Sequence, residues 1–285
     1  MTIGVFIDCD KKLKKRIIYT FELFFSILGL PFKIIQNKKE ISENFELIIY
    51  YGSLMTLHDF KNYLNEDKCI INIHSYKDIS ESYDNSHHIF YLRINSSTYI
   101  PFFSQNSSLC SYKGTPLFLS DDNKPVIVLN KINNGFLINV GVDIIYSIFY
   151  IVSRQEEVGC KKRDAHNRFP AEYSVIFKEG LLNVPLVNIQ INLLYDLIVF
   201  GYKKMGLPLL QKCYWPGGKE FAACLTHDVD LIRKWTPSRI KYQFLKIISL
   251  FLNYEFKHSI KELIIMLNSI TKNKDPYWNF SEIME

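Results

Sequence analysis

The sequence predicts an α/β protein, and three observations carry that prediction. A β-rich run, Ile3-Gly4-Val5-Phe6-Ile7, opens the chain; apolar residues at helical spacing follow it directly; and further apolar runs of strand length recur up to about residue 140, before helical periodicity returns. With 285 residues, 48% of them hydrophobic and 15% aromatic, the chain can fill a sizeable core, which excludes an extensively disordered protein.

After the first strand, Asp10 stands as an N-cap ahead of Leu13, Ile17, Ile18, Phe21, Phe24, Phe25 and Leu28, one apolar helical face that Gly29 and Pro31 terminate. The runs Phe32 to Ile35, Leu47 to Tyr51 and Ile70 to Ile73 read as strands, with a short helix expected around Leu54 to Leu64. From His88 onward the runs shorten: Ile89 to Ile94, Leu117 to Leu119, Val126 to Leu129 and Phe136 to Val140, the last two joined as a hairpin by the turn signal Asn134-Gly135. Helical periodicity resumes over about Asp143 to Glu157 and over Leu186 to Lys204, with a polar loop between.

Gly206, Pro208, Trp215, Pro216, Gly217 and Gly218 mark a border within 206–220. The expected organisation is an N-terminal α/β domain over 1–140, a helical connecting region over 141–215 and a further domain from 219 to 285. That last part opens with the apolar strand Phe221 to Leu225 and continues, from the helix-start pair Thr236-Pro237, as two amphipathic helices.

The formal charge of +5 is dispersed, which sets nucleic acid aside as a partner. Cysteines at 9, 69, 110, 160, 213 and 224 form no Cys-x-x-Cys pair and read as reduced, mostly buried thiols. The chain opens without a basic region, apolar stretch and small-residue cleavage site, and its longest apolar runs fall short of the roughly 20 residues a membrane span needs. A cytoplasmic protein with no membrane span is expected, its oligomeric state undetermined.

Thr226-His227-Asp228-Val229-Asp230 lies at the carboxyl end of the Phe221 to Leu225 run, where α/β folds commonly place ligands. In an extended chain Asp228 and Asp230 point the same way, and two such carboxylates can divide labour, one binding a divalent cation and one taking a proton from water. Acidic residues at strand ends equally serve as turn formers and helix caps. Asp8-Cys9-Asp10 follows the first strand in the same manner and is read as a turn plus an N-cap.

The segment FAACLTHDVD, Phe221 to Asp230, resembles the opening motif of the polysaccharide deacetylases of carbohydrate esterase family 4, in the variant whose two acidic residues are one position apart. That resemblance implies Asp228 as the catalytic general base and Asp230 as the first metal ligand, with zinc the usual cation; His227 takes no assigned role. Phe149 to Asn188 is similar to the segment preceding the deacetylase domain in a group of bacterial members, and the N-terminal α/β portion to the domain ahead of it. Asp275-Pro276-Tyr277-Trp278-Asn279-Phe280 looks like the approach to a second barrel strand.

The family completes its metal site with two histidines four positions apart, and none of the seven here, at 58, 74, 87, 88, 166, 227 and 258, are so spaced. Residues 219–285 are also too few to close a (β/α) barrel. The expectation is therefore the beginning of an incomplete deacetylase barrel, inactive alone, belonging to a hydrolase that removes acetyl groups from an N-acetylated glycan. The alternative is a non-catalytic accessory module that binds glycan or protein and carries a vestigial barrel.

Arg154, Glu156, Glu157, Asp164, His166 and Arg168 read as a salt-bridged network pinning a loop, with a polar wall against a sugar as the functional counterpart. His87-His88 reads as a partly exposed surface feature rather than a metal site, the basic, amphipathic 237–270 helices as packing elements with a membrane surface as the alternative, and Trp215, Trp235 and Trp278 as either packing or sugar-stacking residues.

Overall fold

A computed structural model describes residues 2–41, 45–52, 60, 68–75, 88–93, 98–104, 109–158, 160–213, 215–219, 221–224, 226 and 235–271. The chain forms two compact units, Met1–Lys219 and Glu220–Glu285.

The first unit is a mixed α/β structure built on one nine-stranded sheet. Its strands are β1 Ile3–Asp8, β2 Phe32–Ile35, β3 Leu47–Gly52, β4 Cys69–His74, β5 His88–Arg93, β6 Tyr99–Ser104, β7 Thr115–Ser120, β8 Pro125–Ile132 and β9 Gly135–Val140. Their spatial order is β2-β1-β3-β4-β9-β8-β7-β5-β6. The first five run parallel, and β8, β7, β5 and β6 continue the sheet by antiparallel pairing. Strands β3 and β4 are buried along their whole length, as parallel strands covered on both faces require.

Helix α1, Lys11–Leu28, starts where Asp10 caps it and stops at Gly29, whose φ of 63° is the left-handed conformation favoured after a helix. Helix α2 spans Ile144–Val152, the single turn α3 Val175–Lys178, and α4 Leu186–Lys204. Helices α1, α2 and α4 place Phe21, Phe24, Ile148, Leu194 and Ile198 in one core with Val5, Ile49, Ile71 and Ile138 of the sheet. The 141–215 region thus shares the core of the sheet, because its helices bury their apolar faces there. The opposite face carries Phe6, Ile48, Tyr50, Ile70 and Leu137, packed with Phe45 and Phe60.

Strand β6 is the one the sequence reading passed over, since Pro101 interrupts its pattern. Two helix side chains hold this edge strand: the Phe103 amide donates to Ser147 Oγ at 2.9 Å, and Gln190 Nε2 donates to the Pro101 carbonyl at 2.8 Å. The hairpin between β8 and β9 turns at Asn133-Asn134, one residue earlier than its sequence signal. Asn133 takes φ 51° and Gly135 pairs with Ile132. The short helix expected over Leu54 to Leu64 falls outside the described residues except at Phe60.

In the second unit, α5 Pro237–Leu252 has Pro237 in its first turn, and α6 Phe256–Thr271 follows. The Ser259 hydroxyl donates to the Ile247 carbonyl at 3.1 Å, and Lys246 and Gln243 both reach Glu262, tying the two helices together. The strand expected from Phe221 is not found over Phe221–Cys224, which are exposed and irregular. An apolar run gains ladder hydrogen bonds only against a neighbouring strand, and among the described residues of this unit there is none. No helix among the described residues is long and apolar enough to cross a membrane.

Candidate functional site

Asp228 and Asp230, the residues singled out as general base and metal ligand, lie outside the described residues, as does His227. Among the described residues no group of three or more His, Cys, Asp or Glu side chains is placed to hold a metal ion. The fit of zinc to this chain therefore rests on the motif alone.

Within the first unit, polar side chains gather at the carboxyl ends of the parallel strands. The order β2-β1-β3-β4-β9 reverses direction between β1 and β3, which is where open α/β sheets bind ligands. Asp8 ends β1 there. Its Oδ2 accepts from the Tyr50 hydroxyl at 2.7 Å and from Lys38 Nζ at 3.3 Å, and the side chain remains partly exposed. Asp10, two residues on, accepts from the Lys12 amide at 2.8 Å, the N-cap expected of it.

One step deeper, Asp143 ends the β9 loop and caps α2. Its Oδ1 accepts from the Tyr146 amide at 2.9 Å and its Oδ2 from the Tyr51 hydroxyl at 2.8 Å. Ser75, after β4, is a second hydrogen-bonding neighbour of that hydroxyl. Burial pushes the Asp143 carboxyl up to about 7, although both hydrogen bonds pull the other way, and burial likewise raises the Tyr51 hydroxyl well above its usual value. A group that exchanges its proton near neutrality here has both oxygens committed within the protein, so it organises the strand ends.

Gly141, two residues before Asp143, lets the Cys110 backbone pass close to the end of β9: a Cβ there would clash with the Cys110 carbonyl oxygen. Cys9, half-buried beside these groups, has its thiol pushed up to about 11, by burial first and by Asp143, Asp10 and Asp8 after it, against the pull of Lys14. It is protonated at neutral pH, which removes it as a thiolate nucleophile. His74 is lowered by burial and stays neutral in the same range.

The charged loop resolves into local pieces. Arg154 pairs with Glu157 and Arg168 with Asp164, while Glu156 accepts from Ser174 Oγ at 2.9 Å and from the Val175 amide at 3.0 Å, closing the loop onto α3. His166 is exposed, His88 is exposed at the start of β5, and His87 lies outside the described residues. Trp215 is exposed, Trp235 partly buried, and Trp278 outside the described residues. All six cysteines are free; of them only Cys69 is buried, a correction to the mostly buried expectation. Cys213 and Cys224 lie in irregular, exposed chain.

Sequence reasoning marked Asp143 only as a helix start and gave Tyr51 no role beyond its strand. The signal for Asp143 was its cap position; its partner, 92 residues away, has no local signature.

No curated protein matches this chain. Among solved structures, the chain is similar to the exo-beta-1,4-mannosidase Op5Man5 from Opitutaceae bacterium strain TAV5, at 9% identity and a TM-score of 0.37 over 55% of this chain and 34% of that one. It is also similar to a beta-galactosidase from the psychrophilic Marinomonas ef1, at 12% identity and a TM-score of 0.30 over 55% and 29%. The chain spans about a third of the length of either protein. The "Family of unknown function (DUF7033)" matches residues 5–202, nearly the whole of the sheet and its three covering helices, so the chain belongs to the DUF7033 family.

Proposed function

We propose that this protein serves metal-dependent hydrolytic N-deacetylation of an acetylated polysaccharide or glycan, with the segment Phe221 to Asp230 as its first catalytic motif. The observation that carries the reading is the motif itself: an apolar run leading into Thr226-His227-Asp228-Val229-Asp230, two carboxylates at a spacing suited to one cation and one proton. In this reading Asp230 holds a divalent cation, zinc by resemblance, and Asp228 accepts a proton from the attacking water. A bound cation supplies polarisation of the acetamide carbonyl. The residues after 219 then form the opening of a (β/α) barrel, and a cytoplasmic location accords with six free thiols.

Zinc titration by calorimetry, with Asp230→Ala as the comparison, tests the metal assignment. The proposal expects binding by the native chain that the variant loses by at least about tenfold, the loss of one charged ligand. Equal binding by the two proteins overturns it.

A second reading, a non-catalytic module that binds glycan or a partner protein, is favoured by one observation. The family-matched region closes a core of its own and carries a polar, cation-lined cavity within residues 154–173.

A further inference from the structure

Between α2 and α3 the chain makes an exposed loop whose conformation is set by its own hydrogen bonds. Asp164 Oδ1 accepts from the amides of His166 at 2.8 Å and Arg168 at 2.9 Å, and the Asp164 amide donates to the Arg168 carbonyl at 2.9 Å. Asn167 takes φ 61° to close this turn, and Arg168 Nε returns to Asp164 Oδ2 at 3.2 Å. Arg163 is held in the same way, its Nη1 donating to the carbonyls of Cys160 at 2.6 Å and Lys162 at 2.7 Å. At the other end of the loop Glu156 fastens the chain to α3. Cationic side chains are thus presented by a braced backbone, which lowers the entropy a ligand has to overcome.

Those side chains line an open cavity of ≈ 650 Å³, within the size range of small-molecule sites. Arg154, Lys162, Arg163 and Arg168 contribute positive charge, Asp164 and Glu172 negative, and Phe169 and Tyr173 supply aromatic rings. Arg154 and Arg168 are already paired with carboxylates. Lys162 makes no ion pair among the described residues, and Arg163 keeps Nε and Nη2 uncommitted there.

We propose that this cavity binds an anionic saccharide, a chain of carboxylate-bearing sugars. Lys162 and the open edge of Arg163 take the sugar carboxylate, the geometry for which a guanidinium fork is suited. Asp164 and Glu172 accept hydrogen bonds from hydroxyl groups, and the exposed ring of Tyr173 meets a sugar face. The two acids on the wall argue against polyphosphate, whose dense negative charge they would repel, and in favour of a ligand whose charges are spaced one to a sugar among many hydroxyls. The site gives the binding-module reading a location and a ligand class, and its lining includes no residue of the Phe221 to Asp230 motif.

Calorimetry on the full 285-residue chain, with tetragalacturonate, N-acetylchitotetraose and inorganic tripolyphosphate as probes, tests it. Tetragalacturonate is expected to bind, more weakly as salt rises, with the other two bound at least about tenfold less tightly. A Lys162→Gln/Arg163→Gln variant and a Tyr173→Ala variant are each expected to lose about tenfold in affinity while melting as the native chain does. Asp228→Asn/Asp230→Asn is expected to bind tetragalacturonate unchanged, which separates this site from the deacetylase reading. No measurable tetragalacturonate binding, equal or tighter binding of the neutral sugar or of tripolyphosphate, unchanged affinity in the Lys162/Arg163 variant, or loss in the Asp228/Asp230 variant overturns the proposal.

Discussion

The Tyr51 hydroxyl donates a 2.8 Å hydrogen bond to Asp143 Oδ2, joining the end of β3 to the start of α2 across 92 residues of sequence. Both groups are buried, and the same carboxylate caps the helix through the Tyr146 amide. One polar contact thus fixes both a helix start and a strand end, at the edge of the sheet where α/β proteins bind ligands.

The contact makes stability depend on pH in a defined direction. The folded Asp143 carboxyl sits at about 7 against the 3.8 of an exposed carboxyl in the unfolded chain, so the folded state binds more protons between those values. Its contribution is complete below about pH 4 and is lost as pH rises to about 7, at up to ~1.4 kcal/mol per unit. Urea unfolding at intervals from pH 4 to 8 should show Asp143→Asn matching the native chain at the acid end and gaining on it toward pH 7. A parallel pair of curves contradicts this. Tyr51→Phe strips a donor from a buried carboxylate and should cost ~1–3 kcal/mol, more at pH 8 than at pH 5.

Gly141→Ala is expected to destabilise the first unit by ~3 kcal/mol or more, since the new Cβ would lie against a backbone carbonyl that cannot rotate away. Thermal melting reads the loss. An unchanged midpoint means that β9 and the 110 segment do not approach as described.

Glu156→Ala removes the acceptor for Ser174 Oγ and the Val175 amide. A cost of ~1–3 kcal/mol follows, with faster proteolytic cleavage in the 160–170 loop that this carboxylate fastens. Limited proteolysis with trypsin checks it, and native-like cleavage rates would show that the loop holds itself.

Much of the fold was legible in the sequence because its signals are local. Asp10 and Gly29 bound α1 as expected, and Leu186 to Lys204 is α4 residue for residue. The alternation of strand and helix likewise places β1 to β4. Caps and periodicity act within one turn or one pleat, so they need no knowledge of the rest of the chain. The same reasoning failed at β6 and at Phe221–Cys224 for complementary reasons. The first is a strand because it pairs with β5 along six residues and helix side chains hold its outer edge, and the second has no strand beside it among the described residues.

The sequence by itself determined an α/β chain, the extents of α1 and α4 and the acidic pair Asp228 and Asp230 as a chemical motif. Tertiary structure alone decided the strand order, the meeting of Tyr51 with Asp143 and the shift of that carboxyl toward neutrality. Proton affinity is set by what surrounds a group once water has left, and which segments enclose Asp143 is decided by chain packing over 92 residues.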